Sequence, residues 1–134
     1  MSAEFSFDVD PKRDLVRIKM AGFFKQDDIA AFIAARRTAH EKLRCAPNMH
    51  VTLNDIRGMS IQSHDVVDAF REMLAAREYR SRRLAFIVGY TLARSQAIRA
   101  LESREARWFD DPAQAEAWLF ADEKSEMPLR RAAG

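Results

Sequence analysis

HVTLNDIRGMSIQSHDVVDAFREML, residues 50–74, is the stretch whose reading decides the fold. His50 to Asn54 alternates as a strand does, and the Asn54-Asp55 pair leaves the β region easily because its short side chains bond neighbouring backbone. An irregular loop then follows, with a turn permitted at Gly58. From Ser63 onward Val66, Val67, Phe70, Met73 and Leu74 fall on one stripe of a 3.6-residue helix, with Asp68, Arg71 and Glu72 on the other side. Ser63 stands where an N-cap oxygen would accept an orphan helical amide. The unit reads as strand, loop, helix. With the strand central, its carboxyl end and the helix start meet at one edge of a sheet, where open α/β folds bind their ligands.

Upstream, Phe5, Phe7 and Val9 alternate with Ser6 and Asp8, and Val16, Ile18 and Met20 alternate with Arg17 and Lys19. These predict two half-buried strands joined as an antiparallel hairpin by Asp10-Pro11-Lys12-Arg13-Asp14 and ended by Gly22. Asp27 and Asp28 suit the positive end of a helix that buries Ile29, Phe32, Ile33, Ala39 and Leu43, while Arg36, Arg37, His40 and Lys42 stay in water. Ala46, Pro47 and Asn48 break that helix. Downstream, Leu84 to Val88 is a continuous apolar run of strand length, expected to be parallel and buried on both faces. Thr91 can cap a helix reaching about Leu101, and Arg107, Trp108 and Phe109 suggest a short last strand. Asp111, Pro112 and Gln114 then supply an N-cap, an N1 proline and a capping-box position for a helix that buries Ala115, Trp118 and Leu119.

The resulting expectation is a single α/β domain over residues 1–121, with a mixed sheet of four to five strands, an N-terminal antiparallel hairpin and about four helices mainly on one face. Residues 122–134 read as a flexible tail. The opposite sheet face would be half open, with Arg17 and Lys19 on it.

Composition narrows the function class. The chain has 134 residues, enough for one self-sufficient core, and a single cysteine, Cys45, which cannot form an internal disulfide. No apolar run approaches the ~20 residues of a membrane span, and the polar, acidic start is no secretory signal. A cytoplasmic protein is expected. The net charge of +2 is too small to imply nucleic acid, although residues 77–107 alone hold eight basic and three acidic side chains.

Catalytic patterns are missing. His40, His50 and His64 have no HExxH spacing or paired cysteines, so no metal or other cofactor is expected, and Ser63 beside His64 lacks triad geometry because adjacent helical side chains point about 100° apart. The best polar constellation is Asp55 with Arg57, just after the central strand. Tyr90, Thr91 and Arg94 should reach the same edge from the next strand, so Asp55, Arg57, Ser63, His64, Tyr90, Thr91 and Arg94 form the expected binding surface. Phe23 and Phe24 cannot both point inward from a short extended segment, so this pair is the expected contact of a homodimer.

With these elements in place the chain resembles the STAS superfamily, and more closely its small bacterial anti-sigma-factor-antagonist-like (SpoIIAA-like) branch, related in fold to SEC14 lipid-binding domains. The resemblance runs from residue 4 to 121. It rests on Val51 to Asp55 followed by Arg57-Gly58-Met59 and a helix, on Leu84 to Gly89, and on Arg107-Trp108-Phe109-Asp110-Asp111 with Ala115, Trp118 and Leu119. It implies a non-enzymatic regulatory module that binds another protein, with an apolar-ligand carrier as the alternative. Regulatory members are phosphorylated on a hydroxyl that follows an aspartate and precedes a glycine. Here Ile61-Gln62-Ser63-His64-Asp65 has Gln62 in place of that aspartate and lacks the glycine, so the usual serine switch is not expected.

Overall fold

The computed structural model describes residues 2–89 and 106–121. Five strands form one sheet in the order β1-β2-β3-β4-β5: β1 is Glu4–Asp10, β2 Leu15–Gly22, β3 Val51–Met59, β4 Arg83–Ile87 and β5 Ala106–Phe109. β1 and β2 are the antiparallel hairpin, with Phe5, Phe7 and Val9 opposite Met20, Ile18 and Val16; every later pairing is parallel. The hairpin closes through a left-handed Asp14 (φ 53°) and an Asp10 carboxylate that accepts the Lys12 amide.

Three helices fall among the described residues: α1 (Gln26–Glu41), α2 (His64–Ala75) and α3 (Pro112–Leu119). Strand alternation sorts the core into two layers. On one face Val16, Ile18 and Met20 meet Phe24, Ile29, Phe32, Val66 and Met73, so α1 and α2 share that side, as right-handed crossovers between successive parallel strands require. Phe5, Phe7, Phe24, Phe32 and Phe70 fill this layer ring against ring, with centroids 5.0–6.3 Å apart. On the other face Leu15, Val51, Leu53, Ala85 and Ile87 are covered by Ala115, Trp118 and Leu119 of α3. The second face is therefore less open than expected. Arg13 and Arg17 also reach Glu116 of α3, at 2.6 and 3.4 Å, and tie the helix to the hairpin.

Several boundaries differ from expectation. β3 does not end at Asn54 but runs on to Met59, held by parallel pairing to β2 as far as Gly22 opposite Met59. Gly58 accordingly makes no turn; a β-carbon there would stand 2.9 Å from that of Ala21, across a local shift in strand register. Gly22 ends β2 with φ +82° where its α-carbon passes against the Ser2 carbonyl, a place no side chain fits. Ile33 is exposed rather than buried, whereas Arg36 and His40 are half-buried. They continue the row that Phe32 begins, at four-residue spacing. The Asp111 cap and Pro112 occur as expected, with Asp111 accepting the Ala113 amide. The helix expected from Thr91 and the tail from residue 122 lie outside the described residues.

Candidate functional site

The carboxyl ends of β3 and β4 lie side by side, Asp55 opposite Ile87. Asp55 and Arg57 point to the same side of the extended β3 and close on each other: Arg57 Nη2 is 2.8 Å from Asp55 Oδ2 and Nε 3.0 Å from Oδ1, while Asp55 Oδ1 also accepts the Arg57 amide. Partial burial would raise the Asp55 carboxyl, but these hydrogen bonds, the Arg57 charge and nearby Lys19 together hold it below its ordinary range. Arg57 remains about half exposed while Asp55 is largely covered, so the pair presents cation more than anion. Ser63 caps α2, its Oγ accepting the Val66 amide at 3.4 Å, and His64 is exposed beside it. Asp55, Arg57, Ser63 and His64 thus share one end of the sheet. Tyr90, Thr91 and Arg94 lie outside the described residues.

Gln62 fixes the approach to that helix. Its Nε2 donates to the carbonyls of Gly22 and Ser60, at 2.9 and 2.6 Å, and its Oε1 accepts the Phe24 amide at 2.9 Å. One neutral amide therefore stitches the end of β2 to the start of α2, using both donor and acceptor capacity in a way a carboxylate cannot. The same geometry separates the phenylalanine pair. Phe24 is fully buried, stacked on Phe5 and edge-on to Phe70, so it belongs to the core and offers no contact surface. Phe23 is 37% exposed and Ile61, on the adjoining segment, 51%.

At the opposite, amino-terminal end of the strands lies a cluster that the sequence reading missed. Asn48, in a left-handed conformation, donates 2.8 Å hydrogen bonds to the Arg77 and Arg80 carbonyls and so pins the 3₁₀ turn Arg77–Tyr79 beneath α1. This brings His40 of α1 to His50, just before β3, with Nε2 atoms 3.3 Å apart and ring planes at 86°. His40 Nδ1 lies 2.8 Å from the Arg36 carbonyl, Ser81 Oγ is 3.2 Å from His50 Nε2, and Ser81 in turn meets Thr52 at 2.6 Å. The Tyr79 ring stands edge-on to His40, and the Arg36 guanidinium covers it at 4.3 Å. Burial, then the proximity of His40, depresses the His50 imidazole to about 4; burial lowers His40 as well. His40 is therefore not on a wet face. Two signals could have located this cluster: the i, i+4 row Phe32-Arg36-His40, and the polar period-two set His50-Thr52-Asn54 on a strand flanked by apolar ones.

No protein-family model and no curated protein sequence matches the chain. Among solved structures, a protein of the DUF3478 family from Shewanella loihica PV-4, described as having a SpoIIAA-like fold, superposes with a TM-score of 0.68. The match covers 89% of this chain and 96% of that one at 18% identity. The chain has a SpoIIAA-like fold. At that identity the likeness speaks to architecture, and the expected resemblance to the anti-sigma-factor-antagonist branch holds at this level. Among the described residues no group of three His, Cys, Asp or Glu side chains converges as a metal site, and no helix is long and apolar enough to cross a membrane.

Proposed function

We propose that this protein is a non-enzymatic STAS-type interaction module whose working surface is the carboxyl-terminal edge of the sheet, around Arg57, Ser63, His64, Tyr90, Thr91 and Arg94, with Asp55 orienting Arg57. The observation that carries the reading is the half-exposed Arg57 guanidinium, held on Asp55 at the end of the sheet from which α2 also starts. A guanidinium and the positive end of a helix both favour a carboxylate or other anion, so an acidic segment of a partner protein is the fitting ligand. The usual serine switch is not part of this reading: Gln62 replaces the preceding acid, and Ser63 is engaged as a cap. An apolar-ligand carrier has less support, because the phenylalanines that would line its site pack on one another.

The test is a pull-down with Arg57→Ala/Arg94→Ala. Loss of the recovered partner, salt-sensitive binding by the wild type and an unchanged melting temperature are expected. Retention of the partner by that variant, with loss on substituting Arg36, Arg37 and His40, would move the surface to the other end of the molecule. A lipid-sized mass retained in native mass spectrometry would favour the carrier.

A further inference from the structure

The histidine pair at the amino-terminal end of the strands is built differently from a core polar contact. His40 donates from Nδ1 to the Arg36 carbonyl, which leaves the Nε2 lone pair of the neutral ring free. His50 Nε2 faces both His40 Nε2 and Ser81 Oγ. With the His50 proton on Nδ1, two Nε2 lone pairs are set against each other. Lone pairs at such a distance repel unless something electron-poor lies between them.

The separation itself says what fits. Two nitrogens bound at about 2.0–2.1 Å to one tetrahedral cation stand about 3.3–3.4 Å apart, and the observed separation is 3.3 Å. We propose that His40 and His50, with the Ser81 hydroxyl beside them, form a two-imidazole binding site for a borderline-soft divalent cation of the zinc, nickel or copper class. The Arg36 carbonyl that holds the far nitrogen of His40 is the outer support that metal-binding histidines ordinarily have. Imidazole donors select such ions over magnesium or calcium, which take oxygen ligands. Both rings are neutral at pH 7, the form that binds metal. Of the charged groups that face the pair, Asp14 acts favourably on His50 and Arg36 unfavourably on His40. With only two nitrogens, the remaining coordination positions fall to Ser81 and solvent, so binding is reversible and a chelator removes the ion.

The experiment is titration of the full chain, labelled with ¹⁵N in its histidine rings, with zinc chloride and separately with magnesium chloride, at pH 7.5 after chelator treatment. Saturable shifts of Nε2 in both His40 and His50 are expected with zinc and none with magnesium, while exposed His64 serves as the internal reference. His40→Gln, on a half-exposed helix position and checked for folding by circular dichroism, should weaken zinc binding at least about tenfold. Cobalt chloride gives a second readout, the visible absorption of nitrogen-coordinated cobalt. The proposal is overturned if excess zinc leaves His40 and His50 unmoved, if only His64 responds, or if His40→Gln binds as the wild type does. A His50 ring found protonated at Nε2 and unresponsive to zinc would also overturn it, since the pair would then be an ordinary hydrogen bond.

Discussion

Ser63→Ala removes the oxygen that accepts the Val66 amide at the start of α2. The variant should lose about 1 kcal/mol in urea denaturation, and Ser63→Asp, which keeps an acceptor there, should stay near the wild type. A loss several times larger in both variants would mean that Ser63 does more than cap. A second residue-scale expectation concerns the imidazole pair in the presence of a chelator. An unfolded histidine titrates near 6.5, whereas folded His50 takes up a proton only near 4 and His40 is shifted in the same direction. Below 6.5 the unfolded chain thus binds protons that the folded chain refuses. This contribution to stability is fully present above pH 6.5 and is lost as pH falls from there toward 4. Midpoint denaturant concentrations measured across that window should decline less steeply in His50→Gln, and equal slopes would contradict the assignment. Ser63 and Asp111 were legible in the sequence because a cap is a local pattern. The histidines were not, because their meeting depends on where α1 ends, on the reversal at Asn48 and on a turn thirty residues downstream.

Among the elements, the junction of β2 with α2 depends on Gln62. Gln62→Ala breaks three hydrogen bonds and leaves the Gly22 carbonyl and the Phe24 amide without that side chain. At roughly 1 kcal/mol each, a loss of about 2–3 kcal/mol is expected in thermal or urea unfolding. Gln62→Glu should be no better, since a carboxylate cannot donate to the two carbonyls; a neutral effect of either change would assign the junction to β-pairing alone. The strands and helices themselves were readable from period-two and period-3.6 patterns. The length of β3 was not: Asp55, Arg57 and Gly58 look like loop residues, yet they lie in a strand because parallel pairing with β2 supplies their backbone partners. The side taken by α3 was equally hidden. Its Ala115, Trp118 and Leu119 specify an apolar face, but only the sheet's own alternation decides which layer that face completes.

At the scale of the whole molecule, the exposed Phe23 and Ile61 side chains sit on segments joined through Ser60, Gly22 and Gln62, close to the edge proposed for interaction. Covering them by a second copy is the expected outcome, so light scattering should return twice the 15.4 kDa chain mass, and Phe23→Ser should return the monomer. A wild-type monomer at high concentration would dismiss the dimer without touching the proposed partner surface. The strand order has a consequence for synthesis as well. Because the spatial order β1-β2-β3-β4-β5 repeats the chain order, each strand leaving the ribosome can add to the free edge of its predecessor, and none has to wedge between two already paired. The hairpin is a local nucleus, its two paired strands being adjacent in sequence. Among the described elements, α3 comes last and completes its layer, so a nascent protein stalled before Asp111 would expose Leu15, Leu53, Ala85 and Ile87, a surface that chaperones would meet.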